Sequence, residues 1–488
     1  MAALSWILVF APFLLGSFRQ IYYLCAPVLF YLIWSRRFVA PSLQTFGLSV
    51  VFSFFVASIS SYFSIAINGF DYSIFDWMLE NQSRLGHMYS PIYRVNHLGI
   101  HASWYFFLLW PWHALFQSNI FLAIIGPLFL ALAMVPLFLL CRRGSLTHQE
   151  TFIVLFGYAG CSFVQILLKE GFRIESVLPV LFFTFLYLWD LPSLLGRLIA
   201  ALALLSVKED VAIYLIAFAC YEGFFGKRWQ DALWLGFLAI VFFSFNQFWA
   251  KPHFLGNALE PEYLRFWSHY GDSLTSILLG MFTSPREVFS NILTSGWWKL
   301  YLPLFGLPFL SPRHVAFSLP GIFILGTAAS YPAMHGYGHY YPLMNFCIAL
   351  AAMVAIVPYL VHPKVKLLWI YALVTMPLFH AGAIKWRMPN ITLYKDLKQT
   401  RQFLEQNNQD QVVVCTQTAV FPYLGYKLKL EPLDAFCQNK PKHLVLIVPS
   451  QNPYPTTHEN LFSLIQQNKI KAQFGDVIVL EPSKGMTL

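Results

Sequence analysis

Residues 68–77 read Asn-Gly-Phe-Asp-Tyr-Ser-Ile-Phe-Asp-Trp, and they open the first long polar stretch of the chain, which continues to His101. An apolar run of membrane length, residues 46–67, comes directly before them. The stretch therefore places Asp71 and Asp76 a few residues beyond the end of that run. Charged side chains near a bilayer are costly, and they usually serve a function. We expect this loop to form one wall of a functional site on the non-cytoplasmic side.

The composition excludes a soluble protein. Of the 488 residues, 57% are hydrophobic and 11% are charged, whereas soluble domains carry about 25% charged residues. Backbone amides in lipid must be bonded within their own segment, so helices are expected to cross the bilayer. The sequence predicts a mainly α protein, a polytopic transmembrane helical bundle of about 11–13 spans, since a span needs ~17–25 apolar residues.

The net charge of +9 does not indicate a nucleic-acid partner, because the basic residues occur in pairs between apolar runs. The positive-inside rule explains that pattern. After two short apolar runs, 4–17 and 20–34, the predicted spans are 46–67, 119–140, 151–168, 176–190, 195–207, 211–225, 231–249, 297–311, 315–330, 341–361 and 367–384. An alternating path then puts one set of residues on the cytoplasmic side: Arg36, Arg37, Arg142, Arg143, Arg197, Lys227, Arg228, Arg313, Lys364 and Lys366. It puts a second set on the other side: Asp71, Asp76, His97, His101, Glu170, Arg173, Glu175, Lys208, Glu209, Asp210, His335 and His339.

The last hundred residues have a different character. Two apolar runs there, 411–415 and 443–448, are typical of buried strands, and 477–480 predicts a last strand. Helical patterns at 394–406 and 459–468 separate them, which predicts a small α/β domain with a partly parallel sheet. We therefore divide the chain into a transmembrane domain, 1–387, with an outer loop at 68–118, and an extramembrane domain, 388–488. Cys415 and Cys437 lie in this second domain, where an oxidising compartment would let them pair; otherwise they are two free thiols.

Asp71 and Asp76 are the sharpest candidates for chemistry. A carboxylate can take a proton from a hydroxyl group or hold a divalent cation, Mg²⁺ or Mn²⁺, near a phosphate. The structural alternative is that Asp71 caps a short interfacial helix at 72–82 and that Asp76 is a solvated surface residue.

The rest of the loop is rich in histidine and aromatic residues. His97 and His101 are four residues apart, which on a helix would place both on one face. This spacing can bind a metal, but a pair without further ligands more often fills a polar interface. Residues 102–116 are rich in tryptophan, as in a segment at the membrane interface. Pro111 argues against an uninterrupted helix there.

Two short charged clusters lie between apolar runs farther along the chain. Lys208-Glu209-Asp210 gives three consecutive charges, and Lys208 could hold a lipid phosphate as a point charge. The alternative is an ordinary loop with charged ends that reach water. Residues Glu170, Arg173 and Glu175 form the second cluster, for which a salt-bridged turn is the alternative.

The third outer segment surrounds His335 and His339. With Tyr337, Tyr340 and Tyr341 it could bind a phosphate or a sugar through donors and aromatic faces. An aromatic belt at the membrane interface is the alternative, and it explains the tyrosines better than the histidines. Lys251 and Arg265 are further basic residues that could contact a phosphate or simply be loop charges.

Together these motifs resemble a bacterial family of polytopic membrane proteins of formerly unknown function. The resemblance covers about residues 60–345 and is carried by four pieces in order: Phe70-Asp71-Tyr-Ser-Ile-Phe75-Asp76, His101 before an aromatic run with Pro111, Lys208-Glu209-Asp210, and Gly338-His339-Tyr340. This family in turn resembles the class C glycosyltransferases (GT-C fold). The chain departs from the family pattern in one place, since Glu170-Gly-Phe-Arg173-Ile-Glu175 stands where an aromatic-Asp-Phe-His piece is usual.

The resemblance implies an integral membrane glycosyltransferase that moves a sugar from a polyprenyl-phosphate donor to a glycan, lipid or protein acceptor. It implies a bacterial inner membrane location with the C-terminal domain in the periplasm. Asp71 matches the catalytic acidic residue of the GT-C enzymes, and Asp76 would support it. The implied substrate-binding residues are His101, Glu170, Arg173, Lys208, Glu209, Asp210, His335, His339 and Tyr340.

Two other classes of function remain open from the residues. A transporter or flippase for a lipid-linked or anionic substrate would use the same charges to line a path. Such proteins often contain internal repeats, and none is evident here. A non-catalytic scaffold whose tail binds a partner would have no pocket behind Asp71.

Overall fold

The structure is a computed structural model, and it describes residues 2–14, 18–35, 37–67, 69–255, 266–328, 340–379, 389–407, 413–434, 437, 443–451 and 454–481. The helices of the first half are α1 Ala2–Leu14, α2 Phe18–Trp34, α3 Leu43–Phe63, α4 Gly69–Leu85, α5 His97–Ile100, α6 Phe106–Phe116, α7 Phe121–Leu132, α8 Met134–Arg143, α9 His148–Gly160, α10 Ser162–Glu170, α11 Leu178–Trp189, α12 Leu194–Leu205, α13 Val211–Phe224 and α14 Trp229–Phe245. The later helices are α15 Lys251–Leu255, α16 Leu274–Thr283, α17 Pro285–Thr294, α18 Pro312–Thr327, α19 Tyr340–Ile356, α20 Pro363–Phe379, α21 Ile391–Asn407, α22 Phe421–Leu424 and α23 His458–Gln467.

This is the helical bundle that the composition predicts. Within the described residues, four helical segments are long and apolar enough to cross a membrane: Leu43–Phe63, Phe121–Arg143, Trp229–Leu255 and Tyr340–Tyr359. The pair α9 and α10, bent by 43°, would make a fifth, and the shorter apolar helices are Ala3–Pro12, Leu24–Ile33, Phe106–Phe116, Ile174–Trp189, Leu194–Leu205 and Val211–Phe224. The total of about 11–13 spans stays a prediction, because helix length does not decide which short helices cross.

Local sequence signals explain where several of these helices begin. The Ser42 side chain accepts a hydrogen bond from the Thr45 amide and caps α3. Thr147 and Glu150 form a reciprocal capping box at the start of α9. Such side chains satisfy amides that the first turn of a helix leaves without partners.

Two predictions about the membrane part are wrong. Residues 106–116 form a helix although Pro111 lies inside it. The helix packs along α4, where Trp110 Nε1 donates to Ser83 Oγ at 2.7 Å, so this packing outweighs the backbone hydrogen bond that proline removes.

The segment 297–311 is not a continuous span. It forms three short 3₁₀ turns, Trp297–Leu300, Leu302–Leu304 and Leu307–Leu310. Pro303 and Pro308 open two of these turns, and the chain has positive φ at Phe305 and Gly306, which is incompatible with an α-helix. The chain still returns to the arginine-rich end, because Arg313 Nη2 lies 2.9 Å from Asp190 Oδ1.

The first outer loop is more ordered than expected. Its short helix, predicted at 72–82, is the 17-residue helix α4. A small antiparallel hairpin follows, β1 Tyr89–Ser90 with β2 Val95–Asn96.

The C-terminal α/β domain is confirmed, with a five-stranded sheet in the order β4-β3-β5-β7-β6. Its strands are β3 Val413–Thr416, β4 Lys429–Pro432, β5 Leu444–Ile447, β6 Lys469–Phe474 and β7 Val477–Glu481. Strand β3 pairs in parallel with β4 and β5, whereas β7 runs antiparallel to β5 and β6. The sheet is therefore partly parallel, as predicted, and it contains two strands, β4 and β6, that the sequence pattern did not indicate. Cys415 and Cys437 form a disulfide bond.

The bundle has two polar ends. Along α11 and α13, about 12–15 residues separate the charges at one helix end from those at the other, which corresponds to roughly 20 Å at 1.5 Å per residue. One end contains ion pairs among the predicted cytoplasmic arginines and nearby acids: Arg143, Arg228 and Arg313 with Asp190, and Arg197 with Asp231. The other end contains the candidate site.

Candidate functional site

Helix α4 presents its two aspartates to different surroundings. Five residues separate Asp71 from Asp76, so their side chains point about 140° apart around the helix axis. Asp71 lies in the first turn and its side chain is 22% exposed, whereas the Asp76 side chain is fully buried. Each has its own partners, so the geometry does not offer one cation site shared by the two carboxylates. The described residues contain no group of three or more His, Cys, Asp and Glu side chains that could hold a metal ion.

Asp71 faces a buried arginine. Arg173 Nη1 lies 3.8 Å from Asp71 Oδ2 and 3.1 Å from Glu170 Oε2, and its Nε lies 3.4 Å from Glu175 Oε2. Burial works against the charge on Arg173, but Glu175, Asp71 and Glu170 outweigh burial and raise the pKa of its guanidinium. Three carboxylates thus share one permanent cation, and Asp71 is the one on the first outer loop.

A glycine allows the arginine to approach α4. Gly171 ends α10 with φ at +84°, a conformation that side chains rarely adopt. A Cβ at this position would lie 3.1 Å from the Tyr72 ring and 3.0 Å from Ile67 Cγ2. The Glu170–Glu175 segment can therefore turn against α4 only because residue 171 has no side chain.

A second charged cluster surrounds the Lys208-Glu209-Asp210 motif. Lys251 Nζ lies 2.5 Å from Glu209 Oε1, His101 Nδ1 lies 3.6 Å from the same oxygen, and the Ala102 amide donates to Glu209 Oε2 at 2.9 Å. Burial disfavours the carboxylate of Glu209, but Lys251, His101 and Lys208 outweigh burial and hold its pKa well below the ordinary value. Glu209 is therefore a buried anion that holds three segments of this end of the bundle together.

Lys208 lies against two tyrosines of α19. Its Nζ is 5.2 Å from the centre of the Tyr340 ring and 5.8 Å from that of Tyr341, within range of a cation–π attraction. The same ammonium is 3.6 Å from Asp210 Oδ2, which accepts a hydrogen bond from Tyr341 Oη at 2.8 Å. Burial raises the pKa of Asp210 more than Lys208 lowers it.

The two clusters share a boundary. The Tyr105 amide donates to the Ser206 carbonyl at 3.1 Å, just before Lys208, and the Tyr105 hydroxyl donates to the Ile174 carbonyl at 3.3 Å, next to Arg173. The Phe75 ring of α4 lies 5.9 Å from Phe172. Both clusters therefore belong to one end of the bundle, on either side of α6.

His97 is a packing residue in this structure. It is 1% exposed, and its ring lies 5.4 Å from Phe75 and 5.8 Å from His101. Burial, followed by the charge of His101, lowers the pKa of His97 to about 3, so the ring is neutral. His97 thus fills an interface between packed groups, which was the alternative to a metal-binding role for the pair. His101 instead contacts Glu209.

Of the predicted site residues, the structure brings Asp71, Glu170 and Arg173 into one cluster. It brings His101, Lys208, Glu209, Asp210 and Tyr340 into the second, adjacent one. His335 and His339 lie outside the described residues. Lys251 acts as the partner of Glu209, a role that its sequence neighbours do not indicate.

Asp76 anchors the C-terminal domain. Its Oδ1 accepts a hydrogen bond from Tyr426 Oη at 2.8 Å and lies 3.3 Å from His113 Nε2, and its Oδ2 accepts from Asn119 Nδ2 at 3.0 Å. The alternative that Asp76 is a solvated surface residue is thus wrong, because its side chain is fully buried. Asp76 also does not support Asp71 directly, because its oxygens face residues from α6, its following turn and the C-terminal domain.

Further contacts fix the same interface. Arg94 Nη2 lies 2.9 Å from Asp434 Oδ2, and Arg84 donates to the Tyr426 carbonyl. Tyr423 Oη donates to the Tyr62 carbonyl at 2.8 Å. The C-terminal domain is therefore held against the helix that carries Asp71.

The fold and these clusters can be set beside known proteins. One similar solved structure is the crystal structure of ArnT from Cupriavidus metallidurans bound to undecaprenyl phosphate, with 10% sequence identity and a TM-score of 0.47; the match covers 90% of this chain and 97% of that chain. No curated protein matches the chain. A family profile described as "Predicted membrane protein (DUF2079)" matches residues 61–419, which include both charged clusters. The chain therefore belongs to the DUF2079 family of membrane proteins.

Proposed function

We propose that the protein is an integral membrane glycosyltransferase that takes a sugar from a polyprenyl-phosphate donor and transfers it to an acceptor hydroxyl on the extracytoplasmic side. The observation that carries the proposal is that a partly exposed carboxylate, Asp71 beside Arg173, lies at the same end of a membrane bundle as the separate cation Lys208. Glycosyl transfer from a lipid phosphate needs both a base for the acceptor and cations for the leaving phosphate.

In the proposed reaction, Asp71 accepts the proton of the acceptor hydroxyl. The acceptor oxygen forms a bond to C1 of the sugar while the bond from C1 to the phosphate oxygen breaks. The electron pair of that bond leaves with the polyprenyl phosphate. No nucleotide takes part, since the lipid phosphate is the leaving group.

Lys208 is the group proposed to bind that phosphate. Its Nζ lies 3.6 Å from Asp210 Oδ2 and over the Tyr340 ring, at the same end of the bundle as Asp71. The Lys208 ammonium group is a compact point charge on a flexible stem, a form of cation that suits a phosphate. His101, Glu209 and Tyr340 would position it, and His335 and His339 remain proposed substrate contacts.

The sidedness has two supports. The disulfide Cys415–Cys437 lies in the domain docked on α4, and disulfides persist in oxidising compartments such as the bacterial periplasm. The arginine-rich end lies at the opposite ends of α11 and α13, as expected for a cytoplasmic surface. We infer an inner membrane protein with a periplasmic C-terminal domain. We also propose that Asp71 can hold a divalent cation, and loss of transfer activity on chelation would test this.

The direct test uses purified full-length protein in proteoliposomes with radiolabelled sugars carried on undecaprenyl phosphate and a bacterial envelope extract as acceptor. The proposal expects the label to leave the lipid and appear in an acceptor. Lys208→Ala should raise the donor concentration needed for half-maximal rate about tenfold, because one phosphate ion pair is worth roughly 1.5 kcal/mol. Lys208→Arg is the matched variant, since it keeps the charge.

If the intact donor crosses the bilayer without losing its sugar, the protein is a transporter and not a transferase. If the protein neither cleaves nor moves any donor, the non-catalytic scaffold is the remaining class of function.

A further inference from the structure

A cavity of about 720 Å³ lies beside the candidate site, and no residue discussed so far in the mechanism lines it. Its walls come from α17 and the turn that follows it, from the end of α18 and from the first turn of α19, together with one residue of α10 and one that precedes α16. Its volume falls within the roughly 300–1,000 Å³ typical of small-molecule sites.

The cavity lies at the same end of the bundle as Lys208. Ala328, which lines it, caps the end of α18, and Arg313 at the start of that helix belongs to the opposite, arginine-rich end. Pro342, also in the lining, directly follows Tyr341, whose hydroxyl contacts Asp210. The cavity is therefore next to the proposed phosphate site on the α19 side.

The lining combines groups of opposite charge with an aromatic ring. Glu287, Asn291, Lys299 and His269 contribute an acceptor, an amide, an ammonium group and an imidazole. Asn291 Nδ2 donates to Tyr270 Oη at 2.8 Å, which fixes the orientation of the amide. Trp297 lines the same cavity, and within the described part of the chain its shielded indole nitrogen has no hydrogen-bond partner.

This set of groups fits a ligand with many hydroxyls. A sugar presents donors and acceptors together on its edges and flat C–H faces that pack on aromatic rings. A lipid tail would leave the charged groups without partners. A phosphate would be attracted by the Lys299 ammonium group but repelled by the Glu287 carboxylate.

We propose that this cavity binds the saccharide part of the acceptor, which then presents its hydroxyl to Asp71. This inference rests on the proposed transferase function and adds the acceptor class to it. Glu287 and Asn291 hydrogen-bond the sugar hydroxyls, and Trp297 supplies an aromatic surface and a donor.

The first test measures binding without catalysis. Full-length protein in nanodiscs is titrated with defined di- and trisaccharides of glucose, galactose, mannose and N-acetylglucosamine, and binding is detected by saturation-transfer NMR. At least one saccharide should bind the wild type, and Asn291→Leu and Glu287→Gln should each weaken it about tenfold, which is the loss of roughly one hydrogen bond to a charged or fixed group. Ser290→Ala is the control, because Ser290 is an exposed residue of α17 outside the lining. Absence of binding by the whole panel, or equal binding by all four proteins, overturns the proposal.

The second test separates this inference from the proposed function. In the transfer assay, Asn291→Leu should raise the acceptor KM about tenfold while the donor KM stays at the wild-type value. An active enzyme with an unchanged acceptor KM in Asn291→Leu refutes the cavity assignment and leaves the transferase intact. If saccharide binding depends on Asn291 but the protein cleaves no donor, the assignment of the cavity as a saccharide site stands and the proposed transferase function is refuted.

Discussion

The two faces of helix α4 differ in what surrounds the same kind of side chain. Asp71 is 22% exposed and faces Arg173 at 3.8 Å, on the side of the charged clusters. Asp76 is fully buried and has hydrogen-bond partners for both of its oxygens, one of them in the C-terminal domain. A fully buried carboxylate that is hydrogen-bonded on both oxygens is shielded from a substrate, whereas a partly exposed one can be reached, so exposure and partners separate a reacting group from a structural one.

The largest effect should come from Asp71→Asn. The amide keeps the shape of the side chain but cannot accept a proton, so the transfer rate should fall at least 100-fold, the lower bound for a lost general base. The thermal midpoint of the purified protein should stay close to that of the wild type, because the site is partly exposed. Transfer at the wild-type rate would remove Asp71 from the chemistry.

Asp76→Leu should show the opposite pattern. It leaves Tyr426, His113 and Asn119 without their common acceptor in a buried site, and the loss of stability should reach about 3 kcal/mol. We expect a lower thermal midpoint and faster proteolytic removal of the C-terminal domain, with a smaller loss of transfer rate than in Asp71→Asn. If Asp76→Leu were as inactive as Asp71→Asn at full stability, the two faces would not differ in role.

A gentler probe of the same interface is Tyr426→Phe. The ring keeps its contact with Trp77, 5.4 Å between centres, while Asp76 loses one donor. The expected destabilisation is about 1.5–3 kcal/mol, the usual value for one hydrogen bond to a charged group. Chemical denaturation in detergent measures it, and no change would mean that the hydroxyl does not contribute to docking.

The smallest effect should come from Arg94→Ala at the rim of the interface. Arg94 is 29% exposed and pairs with Asp434, which is 31% exposed. Exposed pairs contribute about 0–1 kcal/mol and weaken in salt. The difference between Arg94→Ala and the wild type should therefore shrink as salt is raised from low to about 1 M, where the Debye length is ~3 Å. A large, salt-independent loss would place Arg94 in the docking core beside Asp76.

Much of the fold could be predicted from the sequence because hydrophobic run length and charge pairs act locally. The helical bundle and the C-terminal α/β domain follow from patterns within a few tens of residues, and the family resemblance follows from the order of four short motifs. The segment 297–311 was apolar enough for a span, but its prolines and its positive-φ residues decide its shape. Strands β4 and β6 lie at the sheet edges and carry lysines, so their composition does not indicate buried strands.

The site was only partly predictable for a related reason. Lys208-Glu209-Asp210 stands out because its charges are consecutive between apolar runs. The partners of Asp76 are 37, 43 and 350 positions away in the sequence, so no local pattern distinguishes Asp76 from Asp71. The pairing of Lys251 with Glu209 likewise depends on tertiary packing.

The central claim is that Asp71 and Lys208 line the same water-exposed end of the bundle, opposite Arg228. Single-cysteine variants test it most directly, in a chain whose free cysteines Cys25, Cys141, Cys161, Cys220 and Cys347 are replaced by alanine and whose disulfide is retained. Labelling of bacterial spheroplasts with a membrane-impermeant maleimide should modify Asp71→Cys and Lys208→Cys, and it should modify Arg228→Cys only after the membrane is opened. Modification of positions 71 and 208 from opposite sides of the membrane would contradict the account.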